Sequence, residues 1–244
     1  MFNLKIKTFI HQNIPYSFNW NKEHHKSKYS QIISNRDELD RLKNHFKKVY
    51  EGLIPNTLFN TRDFPRVSQF KIKGLKTAFI RSISKNLIRS GKIRYNDSNS
   101  KLSQYAQKVF DIYQKNNFGN IPGHDPILKN ILIKDKDSVA IEVPIWRKKE
   151  NKVITGHIDL IQIENDIVKV IDYKPEGNFL LSLPQVAIYG FLVKSKLNIK
   201  KIKCISFNKK SSWEYEPRIL VEEVKDFLIS QRINDRPWEN FISF

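Results

Sequence analysis

Two aspartates and a lysine sit where two hydrophobic runs end. Gly156-His157-Ile158-Asp159-Leu160 carries the first aspartate, and thirteen residues after it comes Ile171-Asp172-Tyr173-Lys174. Side chains two apart on a strand share a face, so Asp172 and Lys174 are expected to project together while Tyr173 turns inward. Asp159 would stand on the neighbouring strand. Two carboxylates, with the main-chain carbonyl of Tyr173 between Asp172 and Lys174, are the hard oxygen donors that Mg²⁺ prefers, and they leave positions for water and a phosphate oxygen. Lys174 would position the attacking water and offset charge on the phosphate. The chemistry suited to this set is metal-assisted hydrolysis of a phosphodiester.

An Asp-x-Lys alone is weak in so lysine-rich a chain, and a surface ion-pair cluster is the plain alternative. The surrounding pattern decides between them. Val139, Ile141, Val143 and Ile145 alternate as a strand, which Pro144 should place at an edge or beside a bulge. Val153 to Ile163 and Ile167 to Lys174 follow after short turns, giving a three-stranded meander. Ser182 is the expected N-cap of the next helix, with Pro184 in its first turn and Gln185 and Tyr189 one turn apart on it. Ile199 to Tyr215 should add one or two strands, and Val221 to Ile233 a closing helix.

Upstream of Gly119 the period is helical. Asp37 to Tyr50 places Leu39, Leu42, Phe46 and Val49 on one face after a possible cap at Ser34, and Leu102 to Tyr113 repeats the pattern. Between them, Phe64 to Asn96 holds nine Lys or Arg and no acid. There Leu75, Phe79, Ile83 and Leu87 oppose a stripe of Arg81, Lys85 and Arg89, flanked by Lys76 and Lys92. A solvated face normally mixes signs, so these five cations are candidates for phosphate contact. Residues 1–35 give no legible period.

The chain has 43 Lys and Arg against 25 Asp and Glu, a net charge of +18 that favours a polyanionic partner, with nucleic acid first. Residues 1–120 hold 23 bases and 8 acids, whereas 121–244 hold 20 and 17. One cysteine, Cys204, excludes an internal disulfide and a four-cysteine iron–sulfur cluster. No run of 18 apolar residues and no secretory leader are visible, so a cytoplasmic location is expected.

The set Gly156-His157-Ile158-Asp159, Asp172-Tyr173-Lys174, and Gln185 with Tyr189 resembles the PD-(D/E)XK nuclease superfamily, in particular its RecB-type branch. That branch includes the mitochondrial genome maintenance exonuclease and CRISPR-associated single-strand nucleases. The likeness covers about residues 120 to 200. It implies an α/β fold with an αβββαβ core, a mixed sheet flanked by helices, Mg²⁺ or Mn²⁺ dependence and hydrolysis of DNA. By this resemblance Asp159, Asp172 and the Tyr173 carbonyl are metal ligands, Lys174 is the catalytic lysine, and Gln185 and Tyr189 flank the site. His124, in Pro122-Gly123-His124-Asp125, matches the branch's upstream metal-binding histidine, with a helix-capping role as the alternative. Glu142 stands where some members carry an acid on the first strand. His157 shares the face of Asp159 by alternation, although hydrogen bonding is the commoner role for a strand histidine. His11, His24, His25 and His45 have no usable spacing and are expected at the surface.

The expected organisation is a basic, mostly helical region over residues 1–96 and a nuclease domain over 97–244. An exonuclease or an end- or flap-processing enzyme of DNA repair, recombination or replication is expected, with DNA and a separate helicase or recombination or replication protein as candidate partners. The rival is a catalytically silent nucleic-acid-binding module or recruiting subunit.

Overall fold

A computed structural model describes residues 4–31, 36–175 and 178–242. The unassigned N-terminal segment is a hairpin of Leu4–His11 (β1) and Ile14–Asn21 (β2), followed by the helix Lys22–Gln31 (α1). Gln12 and Asn13 turn the hairpin with φ of 52° and 66°, as a two-residue turn of the I′ kind requires. The period was hidden because hydropathy does not track burial here. Phe9 and His11 face inward while Ile10 is 66% exposed.

Histidines expected at the surface are instead core residues: His11, His25 and His45 are all buried. Each has a local partner that makes burial tolerable. His11 bonds to Asn56, His25 accepts from the Trp20 indole, and His45 donates to the Pro144 carbonyl. His24 is half-buried against the Ser138 carbonyl.

Arg36–Tyr50 (α2) buries the expected Leu39, Leu42, Phe46 and Val49; the cap expected at Ser34 lies outside the described residues. Asn56–Asn60 (α3) is one short turn. Thr77–Arg89 (α4) buries Ile80, Ile83 and Leu87, whereas Leu75 precedes the helix and Phe79 is 41% exposed. A strict four-residue repeat drifts off a face that turns every 3.6 residues. Ile93–Asn96 (β3), Lys101–Lys115 (α5) and His124–Lys134 (α6) follow.

The meander forms as expected from Ser138–Lys149 (β4), Lys152–Glu164 (β5) and Ile167–Tyr173 (β6). Pro144 is accommodated because β2 pairs with β4 only at Ala140 and Ile141, leaving the later part of β4 without a neighbour on that side. Phe179–Leu197 (α7) starts earlier than expected. Asn178 is its cap, accepting from the Leu180 N–H, and Ser182 lies inside the helix. This helix carries the chain across to Ile202–Phe207 (β7), which runs parallel to β6 and so needs a long crossover. Ser212–Tyr215 (β8) completes the strands. The closing segment is a π-helical turn, Leu220–Val224, running into Lys225–Ser230 (α8), in place of one regular helix.

All strands join one mixed sheet in the order β1-β2-β4-β5-β6-β7-β8-β3. The expected division at residue 96 does not break it, because β1 and β2 extend one side and β3 pairs with β8 at the other. Within it, α6-β4-β5-β6-α7-β7 has the order αβββαβ. One hydrophobic cluster includes residues of α2, α4 and α7, and a second includes α5 and α6, so helices flank both faces of an α/β fold. Among the described residues no helix is long and apolar enough to cross a membrane.

Candidate active site

Alternation along β6 sends Val168 and Val170 into the cluster containing α7, and Ile171 and Tyr173 into the cluster containing α6. Asp172 continues the first row. Its carboxylate is 1% exposed, and Gln185 on α7 meets it by donating from Nε2 to Oδ1 at 3.1 Å. Lys174 Nζ lies 2.6 Å from Asp172 Oδ2 and donates to Gln185 Oε1 at 3.1 Å, closing a three-membered ring of Asp, Lys and Gln. The amide of Gln185 thus bridges an acceptor and a donor, which fixes its orientation.

Strand pairing between β5 and β6 ends at Leu160 and Ile171. Beyond that pair Asp159 and Asp172 come next in register, and Asp159 Oδ2 accepts from the Tyr173 N–H at 2.8 Å. The carboxylate has taken over a donor that the sheet no longer uses. On the other side, Glu142 falls opposite Asp159, between the pairs Ile141–Leu160 and Val143–Ile158. Glu142 has φ of 51°, a strained conformation for a residue with a side chain.

His124 is the first residue of α6, and its Nε2 donates to the Tyr173 carbonyl at 3.1 Å while lying 3.9 Å from Asp159 Oδ2. It is therefore tied to β6 and does not cap its own helix. Gly123 is the residue at the cap position.

These groups perturb one another as crowded, buried acids should. Burial first, then Asp172 and Glu142, hold Asp159 well above the usual carboxylate range. Asp172 is raised by burial and pulled back by Lys174, with Lys71 among the smaller opposing charges. Burial, then Asp125 and Asp172, push Glu142 up to about 7. Such a cluster is electrostatically short of positive charge.

Among the described residues, no three His, Cys, Asp or Glu side chains converge as a metal-binding group on their own. Mg²⁺ does not demand one, since it commonly keeps several waters and takes one or two carboxylates with substrate phosphate. Adjacent ligands of an octahedral Mg²⁺ lie about 3 Å apart. The separation from His124 Nε2 to Tyr173 O, 3.1 Å, is near that edge, and Asp159 Oδ2 stands wider, at 3.9 Å. Both oxygens of Asp172 keep a second lone pair. The donor set fits a hard divalent cation.

Tyr189 is placed beneath this group. It is 2% exposed, and burial raises the pKa of its hydroxyl well above its ordinary value, with the His157 backbone and the Gln185 side chain opposing that rise. A Cβ on residue 156 would come within 2.6 Å of the Tyr189 ring, so Gly156 is the residue that lets α7 settle on β5. The side chain of His157 goes elsewhere: it lies 2.9 Å from His11 Nδ1, is stacked on Tyr16, and has Arg66 at 3.4 Å.

Arg81, Lys85 and Arg89 are exposed on α4 and, among the described residues, form no ion pair, as is true of Lys76 before the helix. Lys92 differs, being paired with Glu223 at 2.7 Å. One cation nearer the carboxylates, Lys71, was not legible. The segment from Pro65 to Ile72 is pinned at one end by the Thr155 N–H on Pro65 O and at the other by the Ile72 N–H on Leu181 O. It carries Arg66 and the exposed Lys71 between β5 and the start of α7. The charge run Phe64 to Asn96 included both, but only the fold distinguishes them from the stripe.

No family model matches this chain. No curated protein matches it either. A solved structure described as "Crystal structure of SSO0001" aligns at 17% identity over 66% of this chain and 89% of that one, with a TM-score of 0.28. That likeness is too slight to carry an argument about fold or function.

Proposed function

We propose that this protein is a Mg²⁺- or Mn²⁺-dependent deoxyribonuclease of the PD-(D/E)XK type, resembling the RecB-type branch. The observation that carries the reading is the ring of Asp172, Lys174 and Gln185 standing beside Asp159 and the Tyr173 carbonyl where two strands part. Asp159, Asp172, the Tyr173 carbonyl and His124 would hold the cation. When bound, it would polarise the phosphate and acidify the attacking water. Lys174, kept in place by Gln185, would orient that water and offset charge on the phosphate; Lys71 would approach the same phosphate from the Pro65–Ile72 segment.

An exonuclease or an end- or flap-processing enzyme is preferred to a sequence-specific endonuclease, because the exposed cations are suited to phosphates and no base-reading element is evident. Roles in DNA repair, recombination or replication, with a helicase as partner, would follow. End-labelled single-stranded, double-stranded and circular DNA, incubated with Mg²⁺, Mn²⁺, Ca²⁺ or EDTA, test it. Cleavage of linear DNA with Mg²⁺ and Mn²⁺, little with Ca²⁺ and none in EDTA is expected. Undiminished turnover in EDTA would sink the metal mechanism, and DNA binding without cutting would favour a silent binding module.

A further inference from the structure

At the junction of β2, α1 and α2 lies a cavity of about 540 Å³ that shares no residue with the carboxylate site. Trp20 and His25, both buried, and the half-buried Tyr29 line its depth; Lys22, Lys26, Lys43 and Glu23 are exposed around it. Three cations against one anion make the opening electropositive. Lys43 Nζ also stands 5.2 Å from the centre of the Tyr29 ring, whose hydroxyl is held by Asp40 at 3.0 Å.

The interior offers an unused donor. An indole N–H can only donate, and Trp20 Nε1 lies 3.1 Å from His25 Nδ1, so Nδ1 accepts and the proton of the neutral ring resides on Nε2. Burial keeps the ring neutral, lowering its pKa to about 4. His25 Nε2 is itself buried and has no hydrogen-bond partner. Buried N–H groups are rarely left unpaired, and the ring that carries this one lines the cavity.

We propose that this cavity binds a nucleoside phosphate, with a ring nitrogen or carbonyl of the base accepting from His25 Nε2–H beside Trp20 and Tyr29, and the phosphate held by Lys22, Lys26 and Lys43. An inorganic anion would leave the aromatic interior and its donor unused. A purely apolar ligand would bury that donor further and ignore the lysines. The volume lies within the usual range for small-molecule sites. The nucleotide could be free or part of a strand. Trp20 pairs with Ala140 on β4, two residues before Glu142, so a strand seated here lies beside the same β4 that borders the carboxylates.

The test is calorimetric titration of the full chain in EDTA, so that neither a metal nor cleavage is needed and failure leaves the nuclease reading untouched. The probes are the four 5′-deoxynucleoside monophosphates, the matching nucleosides, inorganic phosphate and a short single-stranded oligonucleotide. At least one monophosphate should bind more tightly than phosphate or its nucleoside. His25→Phe should weaken it about tenfold, as loss of one buried hydrogen bond does. Lys26→Ala/Lys43→Ala should weaken it too, and because both side chains are exposed this variant remains decisive if His25→Phe does not fold. Competition by the oligonucleotide would identify a strand's nucleotide as the ligand; its absence would identify a free one. No monophosphate binding, or binding unchanged in the variants, would overturn the proposal.

Discussion

Gln185 links the two charged groups of the candidate ring, donating to Asp172 and accepting from Lys174. If the proposed activity is correct, Asp159→Ala, Asp172→Ala and Lys174→Ala should each abolish cleavage while DNA binding survives, since groups that act as a unit do not lose activity additively. Gln185→Ala should be milder, costing about 10- to 100-fold, as is usual for a residue that orients metal ligands. A Gln185→Ala enzyme with normal turnover would show that the ring is ornamental to catalysis. Gly156 offers a structural check on the same scale. Gly156→Ala forces a methyl into the Tyr189 ring, so it should destabilise the fold by about 1–3 kcal/mol in chemical denaturation. In a Tyr189→Leu background the penalty should shrink, and a double-mutant cycle with no coupling would contradict the packing.

At the scale of elements, much of the arrangement was readable because it depends on local period. The meander β4-β5-β6 alternates cleanly, and the short turns leave few other pairings, so Asp159 and Asp172 could be placed on adjoining strands from residues alone, although Asp159 lies inside β5 and not at its end. Elements whose position depends on distant partners were not readable. The hairpin β1-β2 hides its inward row behind His11 and exposed isoleucines, and β3 is four residues long and gains its place only through β8. The basic run divides in the same way: α4 carries a stripe, while Pro65–Ile72 brings Lys71 toward Asp172. Lys71→Ala should therefore lower cleavage more than affinity. Arg81→Ala/Lys85→Ala/Arg89→Ala should do the reverse, flattening log K against log salt by about 2 to 3 units, since each phosphate contact contributes roughly 0.7 to 0.9. An unchanged slope would make the stripe an ordinary solvated face. For His124, tied to Tyr173 O, His124→Ala should raise the Mg²⁺ needed for half-maximal cleavage and be partly rescued by excess metal.

Over the whole molecule, the least legible property was the burial of histidines, because nothing in their spacing separates a core imidazole from a surface one. It has a consequence for pH. His25 and His45 are lowered to about 4 by burial, and His157 also lies well below its ordinary value. In the unfolded chain a histidine titrates near 6.5, so between pH 6.5 and 4 the unfolded state binds protons that the folded state refuses. The stability these neutral rings allow is therefore complete above about pH 6.5 and is lost as pH falls toward 4, at up to about 1.4 kcal/mol per pH unit for each histidine. Asp159, Asp172 and Glu142 oppose this, because their raised values make the folded state the better proton acceptor as pH drops. Total stability thus mixes two slopes of opposite sign, and a substitution must separate them. His45 donates to the Pro144 carbonyl at the stretch of β4 that β2 no longer covers, and a glutamine amide can make the same bond without titrating. His45→Gln should lose less stability than the parent protein between pH 7 and pH 5 in urea denaturation, with the curves converging in shape above pH 7. Parallel losses across that window would mean that His45 takes up its proton in the folded state, and that the packing of α2 on β4 is looser than its buried ring implies.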